Sequence, residues 1–298
     1  MASVATIREA SNQVGAGGAP TGASVTPRPW LATWTLCRRE WVRFIRQGNR
    51  VFGALGQPII FWILLSALLS PSFQWGAAAG ATEATSISYA QYFFPGTLVM
   101  IVLFTAIFAT ISVIEDRREG FLQSVLVAPV PRWSVVAGKV LGGALIALAH
   151  AAVFLLLCFT IDVPLKLVTL PLVLGSLFIL GVALTSLGLA IAWPMQSTQG
   201  FHAIMMVFLL PMWLLSGAFA PAGNNWISWI IKFNPLTYAT ALLRYLLYWG
   251  ADSTAQEAAW RGLPPVWLSL TVTLGFVLVT FGLAWRVASV RSTGDATT

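Results

Sequence analysis

Residues 93–114 read FFPGTLVMIVLFTAIFATISVI, twenty-two positions without a charge, and residues 115–119 that follow read EDRRE. At 1.5 Å per residue, an apolar helix of about 20 residues matches the roughly 30 Å hydrocarbon core of a bilayer. The switch to five consecutive charges marks the point where the chain leaves it. Five more stretches have the same character, near Val51 to Ser70, Val135 to Phe159, Leu167 to Trp193, Phe201 to Ala220 and Val266 to Trp285. With 57% hydrophobic and 9% charged residues and a mean hydropathy of +0.79, the 298-residue chain has too few charges to coat a soluble surface. The fold class expected is an all-α membrane protein with six transmembrane helices.

The net charge of +7 does not imply a nucleic-acid partner, because the cations sit beside the spans. Thirteen of the 17 Lys and Arg lie before span one, between spans two and three or just inside the third, or after span six; Lys166, Lys232, Arg244 and Arg261 lie on the other side. The positive-inside bias then puts both termini in the cytoplasm. Cys37 falls on the cytoplasmic side and Cys158 near the outer end of span three, so they do not pair within one chain. The organisation expected is a disordered cytoplasmic tail over 1–29, an amphipathic helix over 30–50, a six-span domain over 51–286 and a tail over 287–298.

In the amphipathic segment Trp30, Trp34, Cys37, Trp41 and Phe44 share one face, and Arg39, Arg43, Arg46 and Arg50 the opposite one. That pattern fits a helix in the membrane interface, aromatics in the acyl boundary and arginines at the headgroups; a helix packed on another subunit fits as well. Span one is followed by an external loop with Glu83 as its one charge, and residues 194–200 form a tight cytoplasmic turn. Between Pro221 and Pro265 two short apolar stretches flank Asn234-Pro235, which reads as an external hairpin dipping into the outer leaflet. A seventh span broken by proline is the other reading, and it would put Arg286 and Arg291 on the wrong side. Gly138 and Gly142, Gly181 and Thr185, and Gly188 and Ala192 are spaced for close helix packing.

The loop after span two runs Glu115-Asp116-Arg117-Arg118-Glu119-Gly120-Phe121-Leu122, and Phe121, Leu122, Val125 and Leu126 share a face before Pro129 and Pro131. Physically this is either a short amphipathic helix with an apolar face open to a partner or a solvated loop serving the charge bias. With its continuation through Gly138-Lys139, it resembles the signature of ABC-2 type transporter permeases. Asn234-Pro235-Leu236-Thr237-Tyr238, with Leu242, Leu243 and Arg244, is similar to the family's element before the last span, and Phe94-Pro95-Gly96 to its opening of span two. The resemblance implies that Glu115 to Val127 is the coupling helix of a separate ABC ATPase, which binds ATP and Mg, and that Trp30 to Arg50 is the connecting helix beside it. It also implies a dimer, with a second permease copy or a similar subunit, and a pathway between the halves. Similar permeases export drugs, lipo-oligosaccharides and polysaccharides, so the resemblance implies an exporter whose expected cargo is an amphipathic drug or lipid-linked molecule, with a glycan second.

No phosphate loop of the form G-x-x-x-x-G-K-[ST] occurs, so this chain is expected to have no cofactor and no ATPase of its own. An ion-coupled carrier is the alternative, and it needs ionisable groups at membrane depth. His150 is the one such group in mid-span; without a carboxylate partner it reads as a packing residue rather than a proton relay. Two histidines and two distant cysteines do not assemble a metal cage or a catalytic set. Candidate pathway linings are Phe104, Phe108, Phe208 and Trp213, with lipid-facing or interfacial-belt positions as the equal alternative; the candidate external break is Asn234, Pro235 and Tyr238.

Overall fold

The computed structural model describes residues 28–72, 87–219 and 226–290, with the side chains of 49–51 excepted. The expectations for the N-terminal tail before residue 28, the loop around Glu83, the start of the external region at 221–225 and the C-terminal end after 290 lie outside the described residues. The helices are α1 Pro29–Arg46, α2 Gly48–Leu69, α3 Tyr89–Ala109, α4 Ile111–Arg118, α5 Phe121–Val127, α6 Arg132–Leu155, α7 Leu170–Ala192, α8 Thr198–Trp213, α9 Ile227–Phe233, α10 Pro235–Leu247, α11 Ser253–Trp260 and α12 Val266–Ser289. Among the described residues, six helical stretches are long and apolar enough to cross a membrane: Phe52–Leu69, Tyr89–Arg118, Arg132–Thr160, Leu170–Ala192, Thr198–Ala218 and Val266–Ser289. These are the six spans read from the sequence.

Span two is the centre of the bundle. Ser88 and Gln91 start α3 with a reciprocal capping box, and nearly every side chain from Tyr92 to Ile107 is buried against α2, α6, α7 and α10. Pro95 lacks the amide that would bond the carbonyl of Gln91, and Tyr248 Oη donates to that carbonyl at 3.4 Å instead. By contrast α2 and α12 are peripheral and keep Phe52, Ile60, Leu64, Leu68, Leu278 and Val279 exposed, the side chains a bilayer would cover.

The small residues of α6 seat the N-terminal helix. A Cβ on Gly138 would stand 2.8 Å from Leu36 Cβ and from the Thr33 carbonyl, and one on Gly142 would stand 2.8 Å from Glu40 Cβ. Only glycine lets α1 approach so closely, and α1 buries Thr33, Leu36, Cys37 and Glu40 against this seam. Ser134 Oγ donates to Pro29 O at 2.6 Å and Trp30 meets Trp133 edge-on. The chain leaves helical geometry at Gln47, so α1 ends at Arg46 rather than reaching residue 50. Trp30 and Trp34 are exposed, whereas Cys37 of the same stripe is buried. Arg39 and Arg43 are not turned to headgroups: carboxylates of this same chain take them inward.

Span five does not end as a plain helix. Beyond Trp213 it widens into a π-turn, Leu214–Ala218, where Gly217 takes a φ of 69°. Tyr92 Oη donates to the Gly217 carbonyl at 3.1 Å, Tyr89 Oη to that of Phe219 at 3.1 Å, and Trp213 Nε1 to that of Gly96 at 2.8 Å.

Candidate functional site

The charged segment after span two is built into the protein rather than left in solvent. Asp116 is fully buried. Its Oδ1 accepts from Arg39 Nη2 at 2.6 Å and Arg43 Nη1 at 2.8 Å, and its Oδ2 accepts from Arg39 Nη1 at 2.9 Å and from Lys139 Nζ. Lys139, itself buried, also donates to Glu40 Oε1 at 2.7 Å and Ser112 Oγ at 3.3 Å. Arg43 Nη2 donates to Glu115 Oε2 at 2.8 Å. Three cations and three carboxylates from α1, α4 and α6 thus neutralise one another, the condition under which charges tolerate burial. The Asp116 hydrogen bond raises the already high pKa of Arg39 further. Arg117 and Arg118 reach across to the turn after α7, donating to the carbonyls of Met195 (3.4 Å) and Gln196 (2.8 Å).

The backbone turns at Gly120, with a φ of 77°, into α5. Its apolar face is spent at home: Leu122 is buried with Val136, Val140, Leu189 and Ala288, Leu126 packs on the same cluster, and Val125 is half-buried. Phe121 lies under Arg39, whose Cζ stands 3.7 Å from the ring centroid. The expectation that this face is open to a partner is therefore corrected, because α6, α7 and α12 fill it. The open surface of the segment is the opposite one, made by Glu119, Gln123, Ser124 and Val127, the last 86% exposed.

Beside the ion cluster a cleft of about 400 Å³ opens between α1, α2, α3 and α8. Phe104, Phe108 and Trp213 line it; Phe208 does not, lying 66% exposed on another face of α8. Phe104 and Phe108 stack at 6.0 Å, and Phe61, which sequence reading did not single out, meets Trp213 at 5.9 Å. Glu40 and Arg43 belong both to the lining of this cleft and to the ion cluster that grips α4.

At the break between α9 and α10, Asn234 Oδ1 accepts from the amide of Leu236 at 3.0 Å and caps α10, with Pro235 in the first turn. Asn234 Nδ2 donates to the carbonyl of Met212, tying the break to the end of span five, and Tyr238 Oη donates to that of Lys232 at 2.8 Å. His150 packs edge-on against Phe44 at 5.2 Å, with Nδ1 2.9 Å from the carbonyl of Ile146.

Comparison with known proteins gives one consistent picture. The family described as ABC-2 type transporter matches residues 32–248. A putative transport permease, ycf38, of Cyanophora paradoxa is 26% identical over 85% of this chain and 88% of its own length. The daunorubicin resistance ABC transporter permease protein DrrB1 of Streptomyces coeruleorubidus is 26% identical over 86% of this chain and 85% of its own. The probable multidrug ABC transporter permease YbhR of Escherichia coli is 26% identical over 64% of this chain, which spans about half (51%) of that protein.

Proposed function

The chain belongs to the ABC-2 type transporter family, a multi-pass membrane subunit that works with an ABC ATPase, and from that premise we propose that it is the permease of an ATP-driven exporter. It moves an amphipathic or lipid-linked substrate outward across the inner membrane, with both termini cytoplasmic and ATP hydrolysed by a separate subunit. The relatives named for multidrug and daunorubicin resistance support the direction and the broad substrate type. Two copies, or this chain and a similar one, enclose the pathway; the exposed Met206 and Val207 of α8, on a helix that also lines the cleft, support that reading.

The observation that carries the proposal is the double membership of Glu40 and Arg43. A displacement of Glu115 and Asp116 by the ATPase pulls on Arg43 directly and on Glu40 through Lys139. Both residues form part of the cleft wall. Charge pairs in a neutral buried cluster resist separation, so the segment and the wall move as one body. The carrier alternative gains nothing comparable, since the buried carboxylates Glu40 and Asp116 are bound by fixed cations.

The test is ATP-dependent uptake of an amphipathic dye into inverted vesicles carrying the chain and its ATPase. Uptake should persist with an uncoupler while ATP is maintained. Collapse of uptake with the proton gradient at constant ATP would replace the exporter by an ion-coupled carrier.

A further inference from the structure

The cleft is not neutral in what it offers a bound molecule. Its ionisable lining comprises Glu40, Arg43 and His202. The Glu40 side chain is only 6% exposed, and its Oε1 takes Lys139 at 2.7 Å and Arg39 at 3.4 Å. Arg43 is more open, at 21%. Its guanidinium has five N–H donors; the bonds to Glu115 and Asp116 use two of them, and Glu119 Oε1 stands 3.7 Å from Nη2 as a looser ion pair. His202 has Nδ1 2.7 Å from the carbonyl of Thr198, which makes that nitrogen a donor already in use. The surplus in this cleft is therefore of donors, at Arg43. Away from that end the wall is aromatic, with Phe104, Phe108, Phe61 and Trp213. Thr105 lies among these rings, buried, with an Oγ that has no hydrogen-bond partner.

Resting on the reading of this cleft as the pathway, we propose that its substrates are amphiphiles with a flat apolar body and an anionic head, the head held by Arg43 and the body between the aromatic side chains. A planar guanidinium suits a carboxylate, sulfonate or phosphate, which it can meet with two parallel N–H bonds. A cationic head finds the carboxylates of the cluster already bound by Lys139, Arg39 and Arg43.

Two fluorescent probes with one ring scaffold separate head from body: anilinonaphthalene sulfonate, an anion, and N-phenylnaphthylamine, which lacks the sulfonate. They are titrated against the purified chain in amphipol, without the ATPase. Arg43→Gln should weaken the anion by about tenfold or more while the neutral probe stays within about twofold. Arg43→Lys, keeping the charge, should fall between. The neutral probe reports that the cleft is intact, so a variant that simply unfolds is recognised by losing both. A quaternary ammonium probe of similar ring size should bind the wild-type chain more weakly than the anion. Parallel weakening of both naphthyl probes with the fold intact, tighter binding of the ammonium probe, or no binding of the anion would each overturn the proposal. Displacement of the bound anion by phosphatidylglycerol but not phosphatidylcholine assigns the head to a membrane lipid. Displacement by neither assigns it to a free amphiphile. Because no ATPase is present, anion binding can succeed while the exporter reading fails, or the reverse.

Discussion

Replacing Asp116 by alanine removes the one side chain that three cations of α1 and α6 share. Arg39 and Arg43 are 30% and 21% exposed and can turn to water, so most of the penalty falls on Lys139, whose side chain is 3% exposed and keeps only Glu40 and Ser112. Breaking a buried pair from one side costs about 3–5 kcal/mol, and partial compensation by Glu40 sets the expectation near the lower figure. For a chain of this size that lowers the midpoint of thermal unfolding by roughly 6 °C or more. The assay is the fraction of chain that stays monodisperse on size exclusion after heating in detergent. The second arm adds Lys139→Met, which withdraws the stranded charge and fills its place with an apolar side chain. The double variant should recover at least about 1 kcal/mol over the sum of the single losses. Strict additivity, or a loss below about 1 kcal/mol for Asp116→Ala, would show that the cluster is not one coupled unit and would remove its claim to transmit motion.

Three further outcomes follow from the geometry. Burial, with Glu40 nearby as a lesser cause, raises the Cys37 thiol above its ordinary pKa, so less of it is thiolate near neutral pH; maleimide should leave Cys37 unmodified in the folded chain while a cysteine placed at the exposed Ser124 reacts, and equal rates would refute the packing of α1. Asn234→Ala uncaps α10 and releases the carbonyl of Met212, at a cost of about 1–2 kcal/mol in the same heating assay; an unchanged midpoint would show that the break does not hold span five. Val127→Asp, on the open side of α5, should weaken co-purification with the ATPase by about tenfold without shifting the unfolding midpoint; undiminished co-purification would move the docking surface elsewhere.

The spans were legible because length and lack of charge are local properties, and the glycines of α6 were legible as packing positions because their spacing is local too. The partner of those glycines was not, since nothing in the order of residues says that Gly138 and Gly142 receive α1. The same holds for the charged run. Its position was plain, yet Asp116 meets Arg39 across 77 residues and Lys139 meets Glu40 across 99. A signal existed: Glu40 stands alone among five arginines of the α1 region, and Lys139 is the one charge within an otherwise apolar helix after its first residue. Lone charges in such places need opposite partners. The face of α5 was misjudged because an apolar stripe on a short helix looks the same whether its own chain or a stranger covers it. Phe208 failed for a related reason, an aromatic in a span being equally at home against lipid.

The seat of α1 on span three also imposes an order on biosynthesis. Ribosomes extend a chain at about 5–20 residues per second, so the 99 positions between Glu40 and Lys139 take roughly 5–20 s to make. During that interval the arginine-rich helix has left the ribosome with neither its glycine seam nor its lysine and aspartate partners. It must wait at the water-facing boundary of the translocation machinery, where its tryptophans find lipid and its arginines find water. Anything that delays insertion of the third span lengthens this exposed period, and a quality-control protease would meet the nascent chain there first.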